Sequence, residues 1–142
     1  MPLRFDLGPF EKLYIGRSVL TNSHQRTCFV LEGDTPILRA KDFLQPSAAT
    51  NSLEQLYCCI QQMYLEAAPA SYQGSYLRLM VQATKDEPSL CSELNAVDGL
   101  VTGNKYYKAL KDLKKLIRPS AFAVYPSESK GLPTTNKLAR SG

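Results

Sequence analysis

Leu38-Arg39-Ala40-Lys41-Asp42-Phe43-Leu44-Gln45-Pro46-Ser47-Ala48-Ala49-Thr50-Asn51-Ser52-Leu53-Glu54-Gln55-Leu56-Tyr57 is the stretch in which the apolar pattern changes its period. Before it, apolar residues come in short β-branched and aromatic runs broken by turn residues, the pattern of strands. After it, Leu53, Leu56, Tyr57, Ile60 and Tyr64 recur at helical spacing. A proline among small polar residues, from Gln45 to Thr50, makes the joint. The fold class that follows is α+β: an N-terminal antiparallel β-sheet of about five short strands, then about four helices and a flexible tail. The expected organisation is a β-rich subdomain over 1–46, a helical subdomain over 47–125 and a tail over 126–142.

Towards the N-terminus, the runs are Leu3 to Leu7, Lys12 to Ile15, Ser18 to Thr21, Arg26 to Leu31 and Pro36 to Leu38. Gly8-Pro9, Gly16, Asn22 to Gln25 and Gly33 to Pro36 separate them and supply the backbone freedom or fixed φ that bends require. Loops this short favour hairpins, hence antiparallel pairing.

Towards the C-terminus, Asn51 or Ser52 can cap the first helix with Glu54 or Gln55 completing a capping box, and Ala67-Ala68-Pro69 should end it near Glu66. A second helix is expected over Ser71 to Thr84, with Leu77, Met80, Val81 and Thr84 on one stripe and Tyr72, Tyr76 and Leu79 beside it. The third opens at Pro88, carries Leu90, Leu94, Val97 and Val101, and stops at Gly103. The fourth, Asn104 to Arg118, places Tyr106, Leu110, Leu113 and Ile117 on one side and Lys105, Lys108, Lys111, Lys115 and Arg118 on the other. Beyond Pro119, Ser, Pro, Gly, Thr and Lys dominate, and only Phe122, Val124 and Tyr125 could return to the body.

The whole chain is 142 residues, 44% hydrophobic and 21% charged, an ordinary globular composition that excludes a disordered protein. Its longest uncharged runs contain Gln, Cys and Tyr and fall short of a spanning helix. The first residues meet a charge at Arg4 with no apolar region before it, which predicts no secretory signal and a cytoplasmic location. Cys28, Cys58, Cys59 and Cys91 lack metal or redox spacing and read as reduced, buried thiols used for packing.

The sequence also lacks phosphate-cradling glycine loops and a nucleophile elbow, and its one histidine, His24, lies in a turn. No enzyme, metal site or cofactor is therefore expected. A net charge of +4, from 17 basic and 13 acidic residues, permits a polyanion without requiring one. Two features could carry binding. Arg17, Arg26, Arg39 and Lys41 could gather guanidinium and ammonium groups on the sheet to meet phosphates or stack on bases, or be solvated residues balanced by Glu11, Glu32, Asp34 and Asp42. The basic face of the fourth helix could attract a polyanion or be an ordinary solvated face. Tyrosines of the helical half, among them Tyr57, Tyr64, Tyr106 and Tyr107, are core residues or contacts for a protein partner.

Three stretches then carry a resemblance. Gly16 to Asn22, Arg26 to Leu31 and Pro36 to Pro46, with Tyr57, Ile60 to Leu65 and Gly103 to Leu110 further on, resemble the FlbT family of bacterial flagellum biosynthesis repressors from about Leu3 to Arg118. The resemblance implies a post-transcriptional regulator of flagellin synthesis that associates with the 5′ untranslated region of flagellin mRNA and promotes its degradation. It also implies FlaF, and with it flagellin, as partners. In the alternative, the chain is a protein-interaction module for FlaF or flagellin with an indirect effect on the mRNA; a dimer is compatible with either. The N-terminal part, Leu13 to Gly16 followed by hairpin strands and Leu38-Arg39 before Asp42-Phe43-Leu44, is similar to the carbon storage regulator CsrA, which implies an RNA contact at Arg39. Ala40-Lys41 stands where that family has acidic residues.

Overall fold

The structure is a computed structural model, and it describes residues 2–122. The expected tail over 126–142, together with Val124 and Tyr125, lies outside the described residues.

Five strands come first: β1 (Leu3–Leu7), β2 (Lys12–Ile15), β3 (Ser18–Thr21), β4 (Thr27–Leu31) and β5 (Ile37–Arg39). They form two antiparallel sheets, a β1–β4 ribbon and a three-stranded sheet of order β3-β2-β5, where the sequence suggested one. Gly16 shapes the hairpin of the second sheet. The β2–β3 hairpin closes Ile15 against Ser18, so Gly16-Arg17 is a two-residue turn whose first position has φ 56°, a value glycine adopts without strain.

Period-2 alternation then assigns each strand face. Phe5, Leu7 and Leu13 form a small core between the sheets, with Ile15, Leu20, Phe29, Leu31 and Ile37 against it. Tyr14 and Leu38 point the other way, into the helical core. The middle sheet thus has apolar residues on both faces, joining strands and helices. Asn22, buried in the loop after β3, donates its amide to the carbonyls of Leu7, Gly8 and Gln25 and clips the ribbon to the hairpin.

Four helices follow: α1 (Ser52–Glu66), α2 (Gln73–Asp86), α3 (Cys91–Thr102) and α4 (Tyr106–Lys114). Helix α1 is central, with Leu56, Tyr57 and Ile60 fully buried. Asn51 is its cap, accepting from the Glu54 amide at 2.9 Å, while the Glu54 carboxylate takes the Thr50 amide instead of the cap's own. The chain leaves α1 through Ala67 in the left-handed region, φ 53°.

Three expectations need correction. The buried stripe of α2 is Tyr76, Leu79 and Ala83; Leu77 and Val81 face outward at 53% and 55% exposure. α4 ends at Lys114, and Ile117 reaches the core from the turn beyond it. Cys58 and Cys59 are buried, but Cys28 and Cys91 are exposed, so packing accounts for only two of the four thiols. Phe122 does return to the body, edge-on against Tyr57 with ring centres 5.0 Å apart.

Candidate nucleic-acid interface

Four lysines surround two carboxylates where α4 meets the 3₁₀ turn Ala40–Asp42 that follows β5. The apolar stripe of α4, Ala109, Leu110 and Leu113, is buried against the body, which leaves the lysine-bearing side towards solvent. Asp42 is buried at the foot of this surface, its carboxylate 2.9 Å from Lys114 Nζ and 3.3 Å from Lys111 Nζ. Lys114 also donates to the Lys41 carbonyl at 2.6 Å. Burial alone would raise the Asp42 carboxyl, and the hydrogen bond and charge of Lys114, together with those of Lys111, outweigh it and hold the group below its ordinary value. The carboxylate is therefore ionised at neutral pH and fixes two ammonium groups in place.

Further along the helix, Asp112 lies 3.7 Å from Lys108 and 3.9 Å from Lys115, both largely exposed pairs that water screens. Lys108, Lys111, Lys114 and Lys115 thus outnumber Asp42 and Asp112, and the surface keeps a positive excess. Beside it Tyr107 is 47% exposed, its ring 5.8 Å from Lys111 Nζ and 6.0 Å from the Tyr64 ring. Fixed cations next to an accessible aromatic face are what single-stranded nucleic acid requires, charge for the backbone and a ring for a base.

The cations expected on the sheet separate. Arg26 is 3.2 Å from Asp6 and Arg39 3.3 Å from Glu11, with a further bond from Arg39 to the Asp6 carbonyl. Each guanidinium is matched by a carboxylate; Glu11 is one of the balancing residues the sequence offered, and Asp6 is not. Arg17 sits at the hairpin turn, beside a groove that none of the α4 lysines lines. Lys41 touches the α4 lysines only through its backbone carbonyl, which accepts from Lys114, and the residue is exposed.

The tyrosines also separate. Tyr57 is fully buried and donates to the Asp42 carbonyl at 2.6 Å, so it braces the turn that carries the site. Tyr64 bonds the Ile37 backbone from a half-buried position, and Tyr106 is half-buried with its hydroxyl on Asn104. The basic face of α4 is legible in the sequence, whereas Asp42 as its anchor is not. Asp42 and Lys111 are 69 residues apart, and no local pattern links them. Among the described residues, no three His, Cys, Asp or Glu side chains gather as a metal site, and no helix is long and apolar enough to cross a membrane.

Fold and surface together define a small α+β protein with a lysine-rich face on its last helix. The model of the flagellar protein FlbT family matches residues 3–121. A probable flagellum biosynthesis repressor protein FlbT of Rhodopseudomonas palustris (strain TIE-1) is 41% identical over 118 residues, 83% of this chain and 94% of that relative. The flagellum biosynthesis repressor protein FlbT of Caulobacter vibrioides (strain ATCC 19089 / CIP 103742 / CB 15) is 32% identical over 120 residues, 82% of this chain and 85% of that relative. No solved structure matches the chain. The chain belongs to the FlbT family.

Proposed function

We propose that this protein represses flagellar synthesis after transcription, by holding the 5′ untranslated region of flagellin mRNA and promoting its degradation. The observation that carries the reading is the lysine surface of α4, anchored by Asp42 and flanked by Tyr107. Phosphates lie along Lys108, Lys111, Lys114 and Lys115, and an unpaired base stacks on Tyr107. The chain's part is binding, and cleavage of the transcript falls to another factor.

Anisotropy titrations of the full chain against flagellin leader RNA at several salt concentrations test this. Affinity is expected to fall as salt rises. Lys108→Glu with Lys115→Glu, both on exposed side chains, should weaken binding and flatten the salt dependence by about 0.7 for each phosphate no longer neutralised. A slope near zero, or binding indifferent to both substitutions, would reject it.

A second reading, an interaction module for FlaF or flagellin, draws on Leu77 and Val81, exposed one turn apart on α2. It requires Leu77→Glu to abolish the partner complex and any effect on the transcript with it.

A further inference from the structure

Of the two outer strands of the three-stranded sheet, β5 has its Ile37 N–H and C=O bonded by the Tyr64 hydroxyl, whereas β3 is open. β3 pairs only with β2, so one row of its backbone groups faces away from the sheet. The register shows which row. The Asn22 amide bonds the Glu11 carbonyl, which places Leu20 and Ser18 at the positions bonded to β2, and turns the N–H and C=O groups of Val19 and Thr21 outward. The strand itself reads Ser18-Val19-Leu20-Thr21, with no lysine, proline or bulge of the kind that usually blunts an edge. Val19 is 53% exposed at its centre.

Beside this edge runs an open groove of about 590 Å³ between the hairpin and the C-terminal end of α1. Tyr14 and Phe43, stacked 3.7 Å apart, and Val19 provide its apolar surface. Lys12 and Arg17 on the hairpin side stand against one carboxylate, Glu66, on the helix side, so the lining carries a net positive charge. Glu66 is held in place by hydrogen bonds from Gln62 and Tyr72, while among the described residues neither Lys12 nor Arg17 has an ion-pair partner, Lys12 bonding the Thr21 hydroxyl.

We propose that the β3 edge is a docking site for an extended, acidic segment of a partner protein, which adds to the sheet as a fourth strand. Its backbone pairs with Val19 and Thr21, an apolar side chain lies over Val19 in the groove, and carboxylates two residues either side meet Arg17 and Lys12. A second copy of this chain fits less well, because pairing β3 with itself brings two like-charged hairpins together. The inference stands independently of RNA binding at α4.

The probe is a fluorescein-labelled, end-blocked peptide, Glu-Thr-Val-Thr-Glu-Thr, titrated against the full chain. It should bind saturably, at least about tenfold tighter than its Lys-for-Glu counterpart and than a version N-methylated at the central valine. In the unsubstituted protein, the Val19 and Thr21 amides should gain protection from hydrogen exchange when it binds. Val19→Pro removes one outward N–H and leaves the bonds to β2 in place, and Arg17→Glu reverses a charge; each should cost at least about tenfold in peptide affinity, with circular dichroism and RNA affinity unchanged.

Equal affinity for the acidic and basic peptides, or protection that spares β3, overturns the proposal. So does a protein that is dimeric until Val19→Pro makes it monomeric, or one that takes up the peptide only after residues 123–142 are deleted. Loss of RNA binding on Lys108→Glu, with peptide binding intact, separates this site from the one on α4.

Discussion

Asp42 and Glu54 are the two buried carboxylates that tie the last helical turns to the middle of the chain. Glu54 takes the Thr50 amide just before the α1 cap and accepts from Arg118 at 2.8 Å. Chiefly through that hydrogen bond, Arg118 holds the carboxyl down from 4.5 to about 2, against the burial that would raise it. A depressed carboxyl contributes stability that is complete above its unfolded value and is lost as pH falls through its folded one. Melting temperature should therefore decline from about pH 4.5 down to about pH 2, and Asp42 contributes in the same direction. Glu54→Gln is expected to flatten this limb and to cost about 1–3 kcal/mol at neutral pH, measured by denaturation at both ends of the range. A limb of unchanged steepness would mean that other carboxylates set it.

At the scale of the element, the exit from α1 is the clearest case of local chemistry at odds with the conformation adopted. Ala67 occupies the left-handed position, φ 53°, that glycine usually fills after a helix. Ala67→Gly should relieve that strain, and since glycine also loosens the unfolded chain, a net gain of up to about 1 kcal/mol is expected in the denaturation midpoint. A drop in the midpoint would show that the alanine methyl matters more than the backbone. Helix α2 teaches a different lesson. Its sequence offers two apolar stripes, and the stripe through Tyr76 was chosen because the Tyr76 hydroxyl reaches Asp98 on α3 while Leu79 and Ala83 sit in the core. Periodicity locates a helix, but two candidate faces of similar width are decided by the neighbouring helix.

Across the whole molecule, α1 is the central support: it packs against α2 and α4, and its Gln61 and Tyr57 bind the segment that leads out of the sheet. α4 is consequently both a wall of the core and the bearer of the lysine surface. Leu110 is fully buried, so Leu110→Ala should cost about 2–5 kcal/mol and lower RNA affinity only where the protein begins to unfold. The measurement is a denaturant midpoint beside an RNA titration at low temperature. An unchanged midpoint would remove α4 from the core, and selective loss of RNA affinity in the folded protein would mean that the leucine shapes the site itself.

The strands, the change of period near Gln45, the helical stripes of α3 and α4 and the basic character of α4 were all determined by the sequence. Each depends on residues a few positions apart, whose spacing and turn chemistry act locally. Tertiary structure alone decided that the strands divide into two sheets, that Arg26 and Arg39 are matched by Asp6 and Glu11, and that Asp42 anchors lysines some seventy residues away. Those outcomes depend on which distant carboxylate a cation meets once the chain has closed. Coulombic attraction acts through space at a few ångströms, and a linear pattern holds no record of such distances.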